Sequence, residues 1–241
     1  PYKKRTSHGM ILAEDGQKMS KSRGNVINPD DVVREFGADT LRLYIMFIGD
    51  FEKDAPWSTS SVKGCKRFLD RVWNLCEKPL QGRGFEYSAE NEKAVHRAIK
   101  KVSGDIEAVK FNTAIATLMS LVNDFYESPP SRGDIRALLS LLSPFAPHIA
   151  EELWKIQGFS GSAAADKWPE YDEAKTLDDE REIAVQLGGK LKGTIIIPSG
   201  LDDEFVLSAA LADEKISRLV EGREIARSIV VKDRLINLIL R

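Results

Sequence analysis

The sequence predicts a mainly α protein: a helical bundle, preceded by a short loop-bearing segment and followed by a small α+β domain. Three observations carry that expectation. Apolar residues recur every three or four positions through most of the stretch from residue 58 to 156. Beyond residue 182 the pattern becomes alternating, with glycine turns. Between the two lies an acidic stretch. At 241 residues and 42% hydrophobic content, the chain has apolar mass for more than one domain.

Taken in order, Met10-Ile11-Leu12 followed by Glu14-Asp15-Gly16 reads as a short strand entering a turn, which delivers Lys18 to Ser22 into solvent. Asn28-Pro29-Asp30-Asp31 marks a helix start: Asn28 caps, Pro29 takes the first helical position, and two aspartates face the positive end of the helix dipole. Gly37 ends that helix. A second runs from Ala38 to Ile48, with Leu41, Tyr44, Ile45 and Ile48 on one side, and Gly49 stops it. Ser58 to Ser61 opens the next, striped by Val62, Cys65, Phe68, Leu69, Val72, Trp73 and Cys76 and closed by Pro79, Gly82 and Gly84.

Two more amphipathic helices follow. One carries Val95, Ile99, Val102, Ile106 and Val109; the other carries Phe111, Ile115, Leu118, Met119, Val122 and Phe125. Pro129-Pro130 separates them from Ile135 to Leu142, and a last helix spans Pro147 to Ile156. Ile183 to Leu187, the Gly188-Gly189 turn and Leu191 to Ile197 form a hairpin. A helical stretch from Asp203 to Val220 and strands Ile225 to Val231 and Leu235 to Leu240, joined at Lys232-Asp233-Arg234, complete a ββ-α-ββ domain.

Charge is distributed unevenly although the formal total is −2. From Pro1 to Arg23 there are six bases, Lys3, Lys4, Arg5, Lys18, Lys21 and Arg23, against Glu14 and Asp15. From Asp166 to Glu182 there are eight acids against three bases, as suits a solvated connector. No apolar run reaches the roughly 18 residues of a membrane span, and the charged N-terminus lacks the apolar core of a secretory signal. A cytoplasmic protein is therefore expected. Cys65 and Cys76 share one apolar helix face. Packing is their expected role, with neither metal nor disulfide.

The most distinctive chemistry lies in Lys18-Met19-Ser20-Lys21-Ser22, followed at once by Arg23-Gly24-Asn25. Two ammonium groups and two hydroxyls in five residues, beside a glycine, suit a triphosphate. Point charges and hydroxyl donors hold a flexible polyanion and relax when its charge moves. Among other candidates, His8 precedes the loop and could touch adenine or RNA. His148, at a helix start, is better read as packing or capping, and Trp57, Trp73 and Trp154 as core or junction aromatics.

Letter for letter, Lys18 to Ser22 is the second signature loop of the class I aminoacyl-tRNA synthetases. His8 to Leu12, Gly24 to Pro29, Gly37 to Arg42, Pro56 to Ser58, Phe111 to Ile115 and Pro144 to Trp154 resemble the leucyl-tRNA synthetases. Val185-Gln186-Leu187-Gly188-Gly189-Lys190 is similar to the small C-terminal domain of the bacterial and organellar type, although that family often has asparagine where Gly188 stands.

This resemblance implies a C-terminal segment of a class I leucine–tRNA ligase, in four parts. Residues 1–57 would be the signature-loop and stem-contact region of the catalytic core, and 58–165 an anticodon-binding-type bundle. Residues 166–181 would be an acidic linker, and 182–241 a tRNA-contacting domain. It further implies ATP with Mg²⁺, leucine and tRNA(Leu) as partners of a monomeric parent, with no metal held by this segment. Lys18 and Lys21 would be catalytic, steadying pyrophosphate as it leaves, and Lys18, Met19, Ser20, Lys21 and Ser22 would bind ATP. Lys190, Lys192, Arg223, Arg227, Lys232 and Arg234 are candidate contacts to the RNA backbone. The family's His-Ile-Gly-His-type motif and amino-acid pocket are not among these residues, so the segment alone should have little activity. Alternatives are an RNA-binding module with a vestigial loop, or a piece of a valyl- or isoleucyl-tRNA synthetase.

Overall fold

The computed structural model describes residues 5–80, 86–177, 180–198, 201–231 and 234–241. It divides into two compact units, Pro1–Thr176 and Leu177–Arg241. Each is described by itself.

In the first unit, strand β1 (Ile11–Leu12) leads into the loop and then into α1 (Pro29–Phe36) and α2 (Ala38–Phe47). A two-residue strand, β2 (Ala55–Pro56), pairs with β1 in parallel, Ile11 opposite Ala55 and Leu12 opposite Pro56. It is too short to leave a period in the sequence and was not expected. Then come α3 (Thr59–Cys76), α4 (Glu92–Glu107), α5 (Phe111–Glu127), α6 (Arg132–Leu142) and α7 (Pro147–Ile156). The caps follow the sequence logic. Asn28 accepts from the Asp30 N–H, Ser58 from the Ser61 N–H, and Ser131 and Asp134 form a reciprocal capping box.

The apolar stripes meet in one core. Val32, Leu43, Tyr44 and Trp57 from the loop-bearing segment share it with residues of α3 to α7 such as Phe68, Ile99, Leu118, Leu138 and Trp154. Residues 1–57 and 58–165, expected as separate parts, thus fall in one compact unit, with α1 and α2 contributing to the same core as the later helices. Trp57 and Trp154 are buried and Trp73 is half-buried. Cys65 and Cys76 are buried and free, and burial pushes their thiol pKa values up to about 11 and about 12.

The acidic stretch departs from its expected role as a solvated connector. Residues 166–176 lie along the bundle, and the boundary between the units falls after Thr176 rather than near residue 181. Its acids pair with bases that the sequence pattern did not locate. Lys100 binds Glu173, Arg136 binds Asp166, and Lys175 of the stretch itself binds Glu92.

The second unit is a four-stranded sheet in the order β4-β3-β6-β5, built from β3 (Glu180–Leu187), β4 (Lys190–Pro198), β5 (Ile225–Val231) and β6 (Leu235–Leu240). The two hairpins are antiparallel, and β3 and β6 join them in parallel at the centre. Gly188 and Gly189 both have positive φ (56° and 81°), as the tight two-residue hairpin turn requires. The single helical stretch expected from Asp203 to Val220 is two helices, α8 (Asp203–Ala212) and α9 (Glu214–Val220). Asp213 breaks it, since its carboxylate accepts from the Lys215 and Ile216 N–H groups and caps α9. One sheet face, with Ile183, Val185, Ile195, Ile236 and Leu238, packs on Val206, Ala210 and Ile216 of these helices. Among the described residues no helix is long and apolar enough to cross a membrane.

Candidate functional site

The chain entering the loop is clamped on one side by residues 51–57. Gly9 N–H donates to the Phe51 carbonyl at 2.9 Å, Ala55 N–H to Met10 O at 3.0 Å and Trp57 N–H to Leu12 O at 2.9 Å. Asp54 Oδ1 accepts from the Met10 N–H at 2.6 Å. A Cβ on Gly9 would stand 2.0 Å from the Lys53 carbonyl oxygen, so only glycine allows this approach. His8 stacks edge-on against Phe51, with ring centroids 4.7 Å apart.

Within the loop the side chains divide by chemistry. Met19 is half-buried against the core and lines an apolar hollow of about 450 Å³ with Ile11, Ile27, Leu41, Ile45 and Met46. Lys18, Lys21 and Ser22 are exposed, and Ser20 is half-buried with its hydroxyl 3.3 Å from that of Ser22. Lys21–Arg23 form one 3-10 turn closed by Gly24 at φ 65°. Asn25 braces the loop across its neck: its Oδ1 accepts from the Ser20 N–H at 2.8 Å, and its Nδ2 donates to Lys18 O at 3.5 Å.

Electrostatically the loop is a positive surface, and the two acids that precede it are already engaged. Glu14 Oε1 accepts from the Thr59 hydroxyl at 2.8 Å, Asp15 accepts from the Gln17 N–H, and Arg23 donates to Gln17 Oε1 at 2.7 Å. Among the described residues neither the Lys18 nor the Lys21 ammonium has a carboxylate partner. The loop thus presents two ammonium groups and two hydroxyls from a backbone held at both ends, a donor set chemically suited to an anion. It contains no carboxylate, and no group of three or more His, Cys, Asp or Glu side chains suited to a metal occurs among the described residues. This donor set does not fit Mg²⁺, and no step through the ion is assigned to these residues.

Behind the loop, α1 and α2 are tied to the bundle. Asp39, buried on α2, accepts from the Ile149 N–H at 2.7 Å, from the His148 N–H at 3.4 Å and pairs with His148 Nδ1 at 2.8 Å, so it caps α7 from outside. One turn further along α2, Arg42 donates to Pro144 O at 3.2 Å. The cap at this helix start thus comes from a carboxylate 109 positions away, and His148 pairs with it through its ring.

In the second unit the candidate RNA contacts do not form one cluster. Lys190 and Lys192 are exposed on the edge strand β4, and Arg227 is exposed on β5 at the opposite edge. Arg223, before β5, lies at the same end of the sheet as the Gly188-Gly189 turn, since Ile225 pairs with Leu240 and Gly188 N–H reaches Leu238 O. Arg234 precedes β6 at the other end. Lys232 lies outside the described residues.

Asn25 and Gly9 position the loop and Asp39 ties α2 to α7; all three lie in motifs quoted from the sequence, but no individual role was read for them there. Asn25 had a local signal, an amide directly after Gly24 that can bridge a tight turn. The partners of Gly9 and Asp39 lie too far along the chain to leave one.

Comparison with known proteins bears on both units. Residues 1–58 match the family of class I tRNA synthetases (I, L, M and V), and residues 92–207 match the anticodon-binding domain of tRNA ligases. The leucine–tRNA ligase of Alkaliphilus oremlandii is 52% identical over the whole chain, which covers 30% of that protein. That of Sorangium cellulosum is 44% identical, again over the whole chain and 28% of its own length. The chain thus spans about three-tenths of the length of the curated relatives it matches. Among solved structures, the LeuRS of Agrobacterium radiobacter K84 agnB2, in a ternary complex with tRNA and LeuAMS, superposes with a TM-score of 0.82 at 34% identity, over 97% of this chain and 33% of that one. Methionyl-tRNA synthetase from Mycobacterium tuberculosis shares the fold at 19% identity, with a TM-score of 0.51 over 64% of this chain and 38% of its own. By sequence along its whole length and by fold, the chain belongs to the leucine–tRNA ligase family and corresponds to a C-terminal portion of those enzymes.

Proposed function

We propose that this segment serves leucyl-adenylate formation by holding the departing pyrophosphate of ATP. In that reaction the leucine carboxylate attacks the α-phosphorus, the bond to the bridging oxygen breaks, and negative charge gathers on pyrophosphate. Lys18 and Lys21 meet that charge, while the Ser20 and Ser22 hydroxyls donate hydrogen bonds to phosphate oxygens. Met19 and Asn25 keep the loop's direction, so that its cations arrive without a large ordering cost. The observation that carries this reading is the pair of ammonium groups, without a carboxylate partner among the described residues, on a braced backbone.

Around the loop, ATP is used with Mg²⁺, and leucine and tRNA(Leu) are the co-substrates of a monomeric, cytoplasmic parent. Residues 182–241 contact the tRNA backbone through Lys190, Lys192 and the exposed arginines, with Lys232 proposed from sequence alone. Such contacts position RNA by charge and weaken with salt. The test is amino-acid-dependent ATP–pyrophosphate exchange by the full-length protein carrying this segment. Exchange stimulated by leucine supports the reading, whereas stimulation by valine or isoleucine in its place refutes it.

A further inference from the structure

The stretch from Tyr171 to Thr176, the last residues of the first unit, is held on α4 by polar contacts and contributes no buried apolar residue of its own. Asp172 N–H donates to His96 Nδ1 at 3.0 Å. Arg97 Nε donates to Thr176 O at 2.8 Å. Lys100 pairs with Glu173 at 2.5 Å, and Lys175 pairs with Glu92 at 2.6 Å. Residues 171–175 are all exposed. Exposed ion pairs are individually weak and screened by salt, so this attachment is reversible by construction.

His96 is the buried member of the set, 7% exposed, and the chemistry of its bond is conditional. To accept the Asp172 N–H, Nδ1 must carry no proton. An imidazolium has N–H on both nitrogens, so protonation sets donor against donor and places a cation beside Lys175. The groups facing the ring are Glu92 on its own helix, Tyr87 at a ring separation of 5.3 Å from the segment before α4, and Asp172 and Lys175 from the strap. Burial and Lys175 hold the His96 pKa below its ordinary value, against the opposing pull of Glu92 and Asp172.

We propose that residues 171–176 are a releasable strap, docked on α4 while His96 is neutral and freed when it is protonated. Release frees six residues, about 20 Å of extended chain. The sign follows from linkage. In the open form His96 is solvated and titrates near its ordinary value of about 6.5, so the open form binds the proton more tightly than the docked form. The docked population therefore falls as pH drops below about 6.5, by up to about tenfold per unit, until the docked form itself takes the proton.

Amide hydrogen exchange on the 241-residue chain, normalised for the intrinsic effect of pH, tests this at pH 7.5 and 5.5. The peptide covering 171–176 should lose protection several-fold at the lower pH, while the α5 peptides keep theirs. His96→Gln retains an acceptor that does not titrate, and its strap should be equally protected at both values. Equal wild-type protection at the two pH values, or the same loss in H96Q, overturns the proposal. Should H96Q perturb α4, the imidazole titration followed by NMR in the wild type decides. Strap opening must track it, and a midpoint more than one pH unit away also overturns the proposal.

Discussion

Replacing Lys18 or Lys21 by alanine in the full-length synthetase should slow adenylate formation by an amount the site geometry bounds. An ammonium about 4 Å from a unit of phosphate charge is worth about 1 kcal/mol in bulk water, and about 4 kcal/mol at the effective dielectric of a partly closed protein site. Both lysines are exposed in this structure and unpaired among the described residues, so the lower figure describes the open loop and the higher one a loop closed over ATP. Converted to rates, each substitution lowers kcat by roughly 5- to 900-fold. Neither side chain gives up an ion pair within the described protein when it turns to phosphate, so nothing offsets the loss. Stability should move by less than about 0.5 kcal/mol, as for other surface changes. Because the charge grows on pyrophosphate as the bond breaks, the loss belongs in kcat, with the KM for ATP less affected. Lysine to arginine keeps the charge but replaces a compact point donor by a planar fork, so rescue should be partial. The assay is leucine-dependent ATP–pyrophosphate exchange. If either alanine variant, folded by circular dichroism, retains a rate within twofold of wild type, the assignment of that lysine fails.

The supporting residues give three further expectations. Asn25→Ala removes the acceptor of the Ser20 N–H and should cost about 1 kcal/mol locally; faster amide exchange at Ser20 and a reduced kcat with Lys18 and Lys21 intact would show it, and unchanged exchange would disprove the brace. Asp39→Ala uncaps α7 from outside and removes a buried, multiply bonded carboxylate. A loss of about 2–4 kcal/mol in urea unfolding is expected, and an unshifted midpoint would refute the coupling of α2 to α7. For Cys65 and Cys76, burial keeps the folded thiols protonated to about 11 and about 12, whereas the unfolded thiols ionise near the ordinary value of 9.0. Between those values the folded state holds more protons than the unfolded one, so this contribution to stability declines as pH rises above about 9. Ellman's reagent at pH 8 should therefore be silent on the native chain and report both thiols in urea.

Much of the fold was legible in local chemistry. Helix starts at Asn28, Ser58 and Pro147 and the hairpin turn at Gly188-Gly189 stand where short-range capping and backbone rules put them. The break at Asp213 was missed because an apolar run looks continuous until its own aspartate folds back as a cap. The acidic stretch misled for a related reason. Composition records eight acids against three bases within residues 166–182, but it does not record the bases Lys100 and Arg136, which α4 and α6 bring against them from far along the chain.

The order of residues alone determined where periodicity begins and ends, and that two lysines and two serines sit within one five-residue turn. It did so because helix, hairpin and loop chemistry act over a few residues. Tertiary structure decided what those groups are free to do. Packing turned Met19 inward and engaged Glu14 with the Thr59 hydroxyl 45 positions away, and the ammonium groups stay unpaired among the described residues. It also split the basic residues of the second unit between two edges of a sheet. Such outcomes rest on contacts between positions tens to a hundred residues apart, and local sequence patterns do not encode which distant partner a side chain meets.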